Sequence, residues 1–409
     1  MSLNPARHTL AVIGAGPVGL EAAALALELG FDVHVFERGE VGAHLRGWGH
    51  VRMFTPWSLN VGPASARLLG AAGWTPPPAD ECPTGDEFAD RVLLPLAATE
   101  ALRARVHAHQ QVVKVTRRGV LPQERIGDPA RAEAPFRLLV RDAGGRESVL
   151  HAYAVLDATG TFGQPAWAGT GGSPARGELY LAPQMSYRPD DVLGLRRERH
   201  AGKRTLVVGG GASAATTVVA LAKLATEAPG TQVTWVTREN GALAGEVADD
   251  PLPARAALFA AAHALRDGSD PAVTWIGGAE VEGFEYNTGT HRYRVTLQLG
   301  EQARIEEVEQ VILNVGYVPD LSITSELQAH ACWATKGSMK LASALLGGAA
   351  GADCMVAPEG GAALLAHPEP NFFVIGAKSY GRNSAFLART GYAQAADALA
   401  ALRAFAFPG

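Results

Sequence analysis

One local pattern occurs twice in this chain and restricts its fold more than any other feature. Residues 10–13 are apolar and partly β-branched, Gly14-Ala15-Gly16-Pro17-Val18-Gly19 follows, and residues 20–29 are rich in Ala and Leu. The order reads as strand, tight turn and helix, with Gly30 as a C-terminal cap and residues 31–37 as the second strand of a βαβ unit. Residues 205–208 begin the pattern again, with Gly209-Gly210-Gly211-Ala212-Ser213-Ala214, a helix to about residue 226 and a strand over 231–237. At 409 residues the chain exceeds the roughly 250–300 at which one core stops growing. Two such units therefore predict an α/β protein with two Rossmann-like dinucleotide-binding domains.

The first loop has the residue types that a bound pyrophosphate requires. Gly14 permits the turn, Gly16 lets the backbone approach the anion, and Gly19 lets helix and strand pack closely. Unpaired N–H groups and the helix dipole favour negative charge at that helix start. Glu37, about 20 residues on at the end of the second strand, is placed for ribose hydroxyls. The loop, including Pro17 and with Arg38 after the strand, is assigned to FAD.

The second loop fits GxGxxA, with Gly209, Gly211 and Ala214 in the three roles and Ala212 and Ser213 at the helix start. Its second strand ends in Thr237-Arg238 instead of an acidic residue. Arginine there suits the 2′-phosphate of NADP, and Thr237 can hydrogen-bond the same group. Read blandly, Arg238 is a solvated charge at a strand end. NADPH is favoured, with NADH as the alternative.

Other segments order the remainder. Strands are expected over 111–116, which includes Val113, over 136–141 and over 153–156, the last ending in Asp157-Ala158-Thr159-Gly160. Further strands are expected over 293–297, over 311–315 running into Gly316-Tyr317, and over 371–375 running into Gly376. A long helix is expected over 384–405 and a Gly/Ala-rich loop over 347–352. The domains predicted are 1–165 with 312–409 for FAD and 166–311 for NAD(P)H.

Several function classes are excluded. A net charge of −5 with interspersed signs leaves no footprint for nucleic acid or an anionic membrane. Glycines and charges interrupt every long apolar run, and residues 1–8 lack the features of a signal peptide, so a soluble, cytoplasmic protein is expected. Cys82, Cys332 and Cys354 form no CxxC pair, which removes a dithiol redox centre. Cys332 beside Trp333 reads as a small buried hydrophobe. No HExxH-like spacing suggests a metal, and Glu246, Asp249 and Asp250 near Pro251 and Pro253 read as a solvated loop.

In these motifs the chain resembles the two-dinucleotide-binding flavoproteins, and among them the flavin-containing monooxygenase-like enzymes. The resemblance runs over nearly the whole chain. It is carried by the Gly14–Gly19 loop, Ala158-Thr159-Gly160, Gly202-Lys203-Arg204 before the second loop, Gly316-Tyr317, and the terminal strand, Gly376 and helix. It implies an NAD(P) domain inserted into a discontinuous FAD domain. Val113, Thr159, Gly160, Gly376 and Ser384 would then touch FAD, and Gly316 and Tyr317 would touch NADP. It also implies that NADPH reduces FAD and that a hydroperoxyflavin passes oxygen to nitrogen, sulfur or a carbonyl of a small-molecule substrate, with molecular oxygen as co-substrate. The cofactor carries that chemistry, so no catalytic triad is required.

Two departures stand out. The family's FxGxxxHxxxY/W is reduced to Pro183-Gln184-Met185-Ser186-Tyr187, with proline in place of the histidine. Where many relatives place a flavin-facing asparagine, this chain has Phe54-Thr55-Pro56-Trp57. A reductase or oxidase of the same fold is therefore the alternative, and a nucleotide-binding sensor a second one. Residues 46–60 hold Trp48, His50, Arg52, Thr55, Trp57 and Asn60, where the tryptophans either flank the flavin or substrate or belong to the core. In the segment 377–384, Lys378, Arg382 or Asn383 would add to the field at the flavin, and the bland alternative is that Asn383 or Ser384 simply caps the last helix. Trp57, Lys378 and Asn383 are the catalytic candidates.

Overall fold

A computed structural model describes residues 5–347 and 358–407. Cys354 and most of the expected Gly/Ala-rich loop lie outside the described residues, and Gly347 ends the helix Met339–Gly347. The chain divides into two compact units. One comprises Met1–Arg46, Thr55–Gln164 and Val318–Gly409, the other Gly47–Phe54 and Pro165–Tyr317. The last crossing falls after Tyr317 because the strand Gln310–Leu313 is hydrogen-bonded into the second unit's sheet.

In the first unit a five-stranded parallel sheet runs in the order Phe372–Val374, Ala154–Asp157, Thr9–Ile13, Asp32–Phe36, Val106–His107. Every residue of Thr9–Ile13 is buried, as a central parallel strand covered on both faces demands. The helix Pro17–Glu28 lies against the last helix, Ala388–Ala406, and its buried Ala22, Ala23, Ala24 and Ala26 leave room for that approach. A three-stranded antiparallel sheet, Gln110–Arg117, Phe136–Asp142 and Glu147–Ala152, contributes Val115, Phe136 and Leu138 to one core with Ala11, Ile13 and Phe36. The register shifts between Val112 and Lys114, so Val113 sits in a bulge.

The second unit repeats the plan. Its parallel sheet has the order Val273–Ile276, Gln232–Val236, Arg204–Val208, Gln310–Leu313. Alternation along Arg204–Val208 sends Val207 toward the helices Ala212–Glu227 and Pro253–Arg266, where Val218, Leu221 and Phe259 meet it. Leu206 and Val208 point the other way, into a core with Val281, Phe284, Val295 and Leu297 of a second antiparallel three-stranded sheet.

Two expectations about elements are corrected. The last helix starts at Ala388, not near 384. Gly381, at φ +68°, turns the chain out of the preceding short helix Ala377–Tyr380, and a Cβ there would fall 2.1 Å from the Thr335 carbonyl oxygen. Asn383 instead accepts from the Ala385 N–H at 2.8 Å, and Leu387 stands at the helix start without a side-chain cap. Neither Asn383 nor Ser384 caps that helix. Asp250 is likewise not solvated. Its side chain is buried against Arg255 (2.6 Å) and accepts from the Leu252 N–H at the start of Pro253–Arg266.

Candidate dinucleotide-binding sites

In the first unit, Thr9–Ile13 has Asp32–Phe36 on one side and Ala154–Asp157 on the other, so the strand order reverses at its carboxyl end. Ligands of open parallel sheets bind at such a point. Gly14 stands there with φ +105°, and a Cβ on it would lie 2.6 Å from the Ala158 carbonyl oxygen. On Gly19 a Cβ would fall 1.9 Å from the Gly14 carbonyl oxygen, whereas on Gly16 it would meet nothing within 4 Å. Gly16 is also the residue before the helix, whose N-terminus has no side-chain cap. Two glycines thus hold the turn closed, and the third leaves open space in front of unpaired N–H groups. That is the shape a pyrophosphate needs.

Glu37 is buried, and its carboxylate accepts from Ala15 N–H at 3.0 Å and Gly39 N–H at 2.9 Å. Each oxygen keeps a further lone pair for a ribose hydroxyl. Arg38 is exposed and hydrogen-bonds His44 at 2.9 Å. At the neighbouring strand end, Asp157 accepts from the Thr159 hydroxyl at 2.7 Å and from Lys378 Nζ at 2.6 Å, and Lys378 also reaches Thr159 at 3.1 Å. Lys378 is 1% exposed, so its charge is spent on Asp157 beside Gly14 rather than presented at a surface. Gly160 follows Thr159 in the turn. Gly376 donates to Gln394 at 2.8 Å and approaches Val18, which brings the last strand's end back to the first helix.

Trp57, Thr55 and Asn60 lie in the interior of the first unit. Trp57 is 3% exposed, with Phe88 edge-on at 6.0 Å and the Arg91 guanidinium 5.4 Å from its ring. The Thr55 hydroxyl donates to Asn60 at 2.7 Å, and Tyr392 donates to the Asn60 carbonyl, which pins that loop. Asn383 is half-buried and Ser384 exposed. Trp48, His50 and Arg52 belong to Gly47–Phe54, in the other unit.

In the second unit the order reverses at Arg204–Val208. Gly209 has φ +139°, and a Cβ on it would lie 2.3 Å from the Asn314 carbonyl oxygen and 3.4 Å from the Ala214 methyl. Gly211 precedes the helix Ala212–Glu227, again without a side-chain cap, and Ser213 is exposed. Ala244 donates to the Gly210 carbonyl at 2.8 Å, so the chain after the second strand lies along this loop.

Asn314 is the residue the sequence reading missed. Its Oδ1 accepts from Thr217 at 2.8 Å, while its buried Nδ2 has no partner. An orphaned donor beside the glycine turn fits an acceptor oxygen of a bound dinucleotide. The signal was present, for Asn314 interrupts an otherwise apolar run, Val311 to Val315, just before Gly316. Thr237 is buried and already engaged, donating to the Glu239 carbonyl at 2.8 Å and accepting from Trp275 at 3.0 Å. Arg238 is 80% exposed and pairs with Glu239 at 3.1 Å. Of the two, only the arginine carries a charge, and it is exposed.

Gly316 continues from Gln310–Leu313, and Tyr317 donates to the Tyr187 carbonyl at 3.1 Å. Tyr187, which survives from the reduced motif, donates to Glu178 at 2.9 Å. Burial, followed by the Glu178 charge, pushes the Tyr187 hydroxyl far above its ordinary value, so it stays a donor. Among the described residues no cluster of His, Cys, Asp and Glu has the form of a metal site.

No protein-family model and no curated protein matches the sequence. Among solved structures, the chain is similar to bacillithiol disulfide reductase from Bacillus cereus, at 17% identity over 97% of this chain and 98% of that one, with a TM-score of 0.68. It is also similar to the FAD-bound cadaverine monooxygenase of desferrioxamine biosynthesis from Erwinia amylovora (14%, 99% and 95%, 0.64). A third is ornithine hydroxylase from Pseudomonas aeruginosa (14%, 97% and 99%, 0.63). The chain has the fold of the two-dinucleotide-binding flavoproteins, the class expected from its two glycine loops.

Proposed function

We propose that this chain is an FAD-dependent oxidoreductase that takes electrons from NADPH and acts on a small molecule. The observation that carries the reading is that each unit has a glycine loop at the reversal point of a parallel sheet, backed by an uncapped helix. FAD is assigned to Gly14, Gly16, Pro17 and Gly19, with Glu37 on its ribose and Thr159, Gly160 and Gly376 lining the same strand ends. NADPH is assigned to Gly209, Gly211 and Ala214, with Arg238 on the 2′-phosphate and Asn314 donating beside the turn. When bound, the two cofactors supply hydride transfer from nicotinamide to flavin. The chain's part is to hold both: backbone N–H groups and helix dipoles bind the pyrophosphates, and the Asp157–Lys378 pair fixes the strand ends around the first loop.

Oxygen transfer to nitrogen, sulfur or a carbonyl is the finer reading, supported by the likeness of fold to two hydroxylating enzymes. Pro183 in the histidine position favours a second one, a reductase or oxidase that transfers no oxygen. Measuring NADPH oxidation in air against a panel of amines, sulfides and ketones separates the two. Oxygenation predicts a substrate that raises NADPH use while hydrogen peroxide release falls and labelled oxygen enters the product. Peroxide equal to NADPH consumed with every compound contradicts it and leaves the oxidase.

A further inference from the structure

The second unit holds a cavity of about 350 Å³ that the dinucleotide reading does not use. Its wall includes Lys203 and Gln310, at the amino ends of the strands Arg204–Val208 and Gln310–Leu313. The glycine loop follows the carboxyl end of the first of these strands, roughly 15 Å away at about 3.3 Å per residue. The two places are separate.

The charge on this wall is unbalanced. Arg199 donates to the Gln310 side-chain oxygen at 2.5 Å and to the Gln184 carbonyl at 2.8 Å, and Lys203 donates to the Glu198 carbonyl at 3.3 Å. All three acceptors are neutral. The carboxylate on the wall, Glu309, is already satisfied by the Arg204 N–H at 2.8 Å and by Arg292 at 3.1 Å. Arg199 and Lys203 therefore face the cavity hydrogen-bonded only to neutral acceptors, and the Asp190 carboxylate that acts electrostatically on Arg199 is already held by His200 at 3.0 Å and Ser186 at 2.8 Å. Guanidinium has five donors and ammonium three, so both retain unused N–H groups.

Aromatic groups complete the wall. Tyr286 and Tyr293 pack with ring centroids 4.9 Å apart, and the Tyr293 hydroxyl donates to the same Gln184 carbonyl as Arg199. Exposed His291 stands 3.5 Å from the Tyr286 hydroxyl. We propose that the cavity binds a small aromatic phosphomonoester, with its phosphate on Arg199 and Lys203 and its ring against Tyr286. Three phosphate oxygens match a guanidinium, an ammonium and the His291 imidazole better than a two-oxygen carboxylate does.

Calorimetric titration with phenyl phosphate tests this on the full chain saturated with FAD and NADP⁺. The expected result is saturable binding, weakened about tenfold in Lys203→Gln, the loss of one charged hydrogen bond. Tyr286→Ala should weaken phenyl phosphate but not inorganic phosphate, and thermal unfolding reports that both variants fold. Absence of saturable binding, or binding that saturating NADP⁺ abolishes, overturns the proposal. So does equal affinity of Lys203→Gln and the parent, and equal affinity for phenyl phosphate and inorganic phosphate removes the aromatic class.

Discussion

The three glycines of the first loop do different work, and the difference is measurable one residue at a time. Gly16→Ala places a methyl in open space, so the chain should unfold at the parent's temperature yet lose most of its flavin. Gly19→Ala drives a methyl into the Gly14 carbonyl, so soluble folded protein itself should fall. Equal stability of the two variants would contradict the division of labour. On the second loop, Arg238→Ala should raise KM for NADPH about tenfold, the worth of a charge-assisted contact, and leave KM for NADH nearly unchanged. Equal effects would sink the 2′-phosphate assignment. The turn positions of these glycines, and the place of Arg238 just after the second strand, were legible because spacing alone specifies them. Lys378 and Trp57 were not, because a sequence shows that a residue is cationic or aromatic but not that Asp157 or Phe88 is waiting for it across the fold.

Elements were legible where a period of 2 or 3.6 persisted. Both βαβ units run as read, to within two residues at each end of their strands and about three at the start of the first helix. The last helix was misplaced at its start because residues 384–387 continue its composition, whereas Gly381 and Arg382 are held by contacts with Thr335 and Gly337, about 45 positions earlier. The stapling of the first unit's antiparallel sheet was invisible for the same reason. Glu369 lies fully buried between Arg117 (2.7 Å) and Arg131 (2.8 Å). Burial alone would raise its carboxyl, but the hydrogen bonds from Arg131 and Arg117 outweigh that and hold it below the ordinary value. A lowered folded-state value means that this carboxylate stabilises the fold above the unfolded glutamate range. The contribution is lost as pH falls through the folded value. Glu369→Gln should cost about 3–5 kcal/mol at neutral pH, since two arginines are left buried, and should flatten the acid limb of a urea-unfolding series. An unchanged acid limb would show that another group sets it.

At the scale of the whole molecule, the two units share one plan: a parallel sheet, helices on a face, and a three-stranded antiparallel sheet. Each offers one glycine loop at a strand reversal. No helix among the described residues is long and apolar enough to cross a membrane. The fold was legible because the motif pair is rare by chance and its order along the chain is specific. What the electrons reach was not, since that depends on side chains gathered from distant segments. The account rests on the assignment of one cofactor to each loop. Its most direct test is anaerobic titration of the purified protein with NADPH, followed by release and identification of the flavin. The account predicts FAD at one per chain, bleached by one equivalent of NADPH, with bleaching lost in Gly211→Trp while FAD remains bound. No flavin in the parent, or bleaching unchanged in Gly211→Trp, would contradict it.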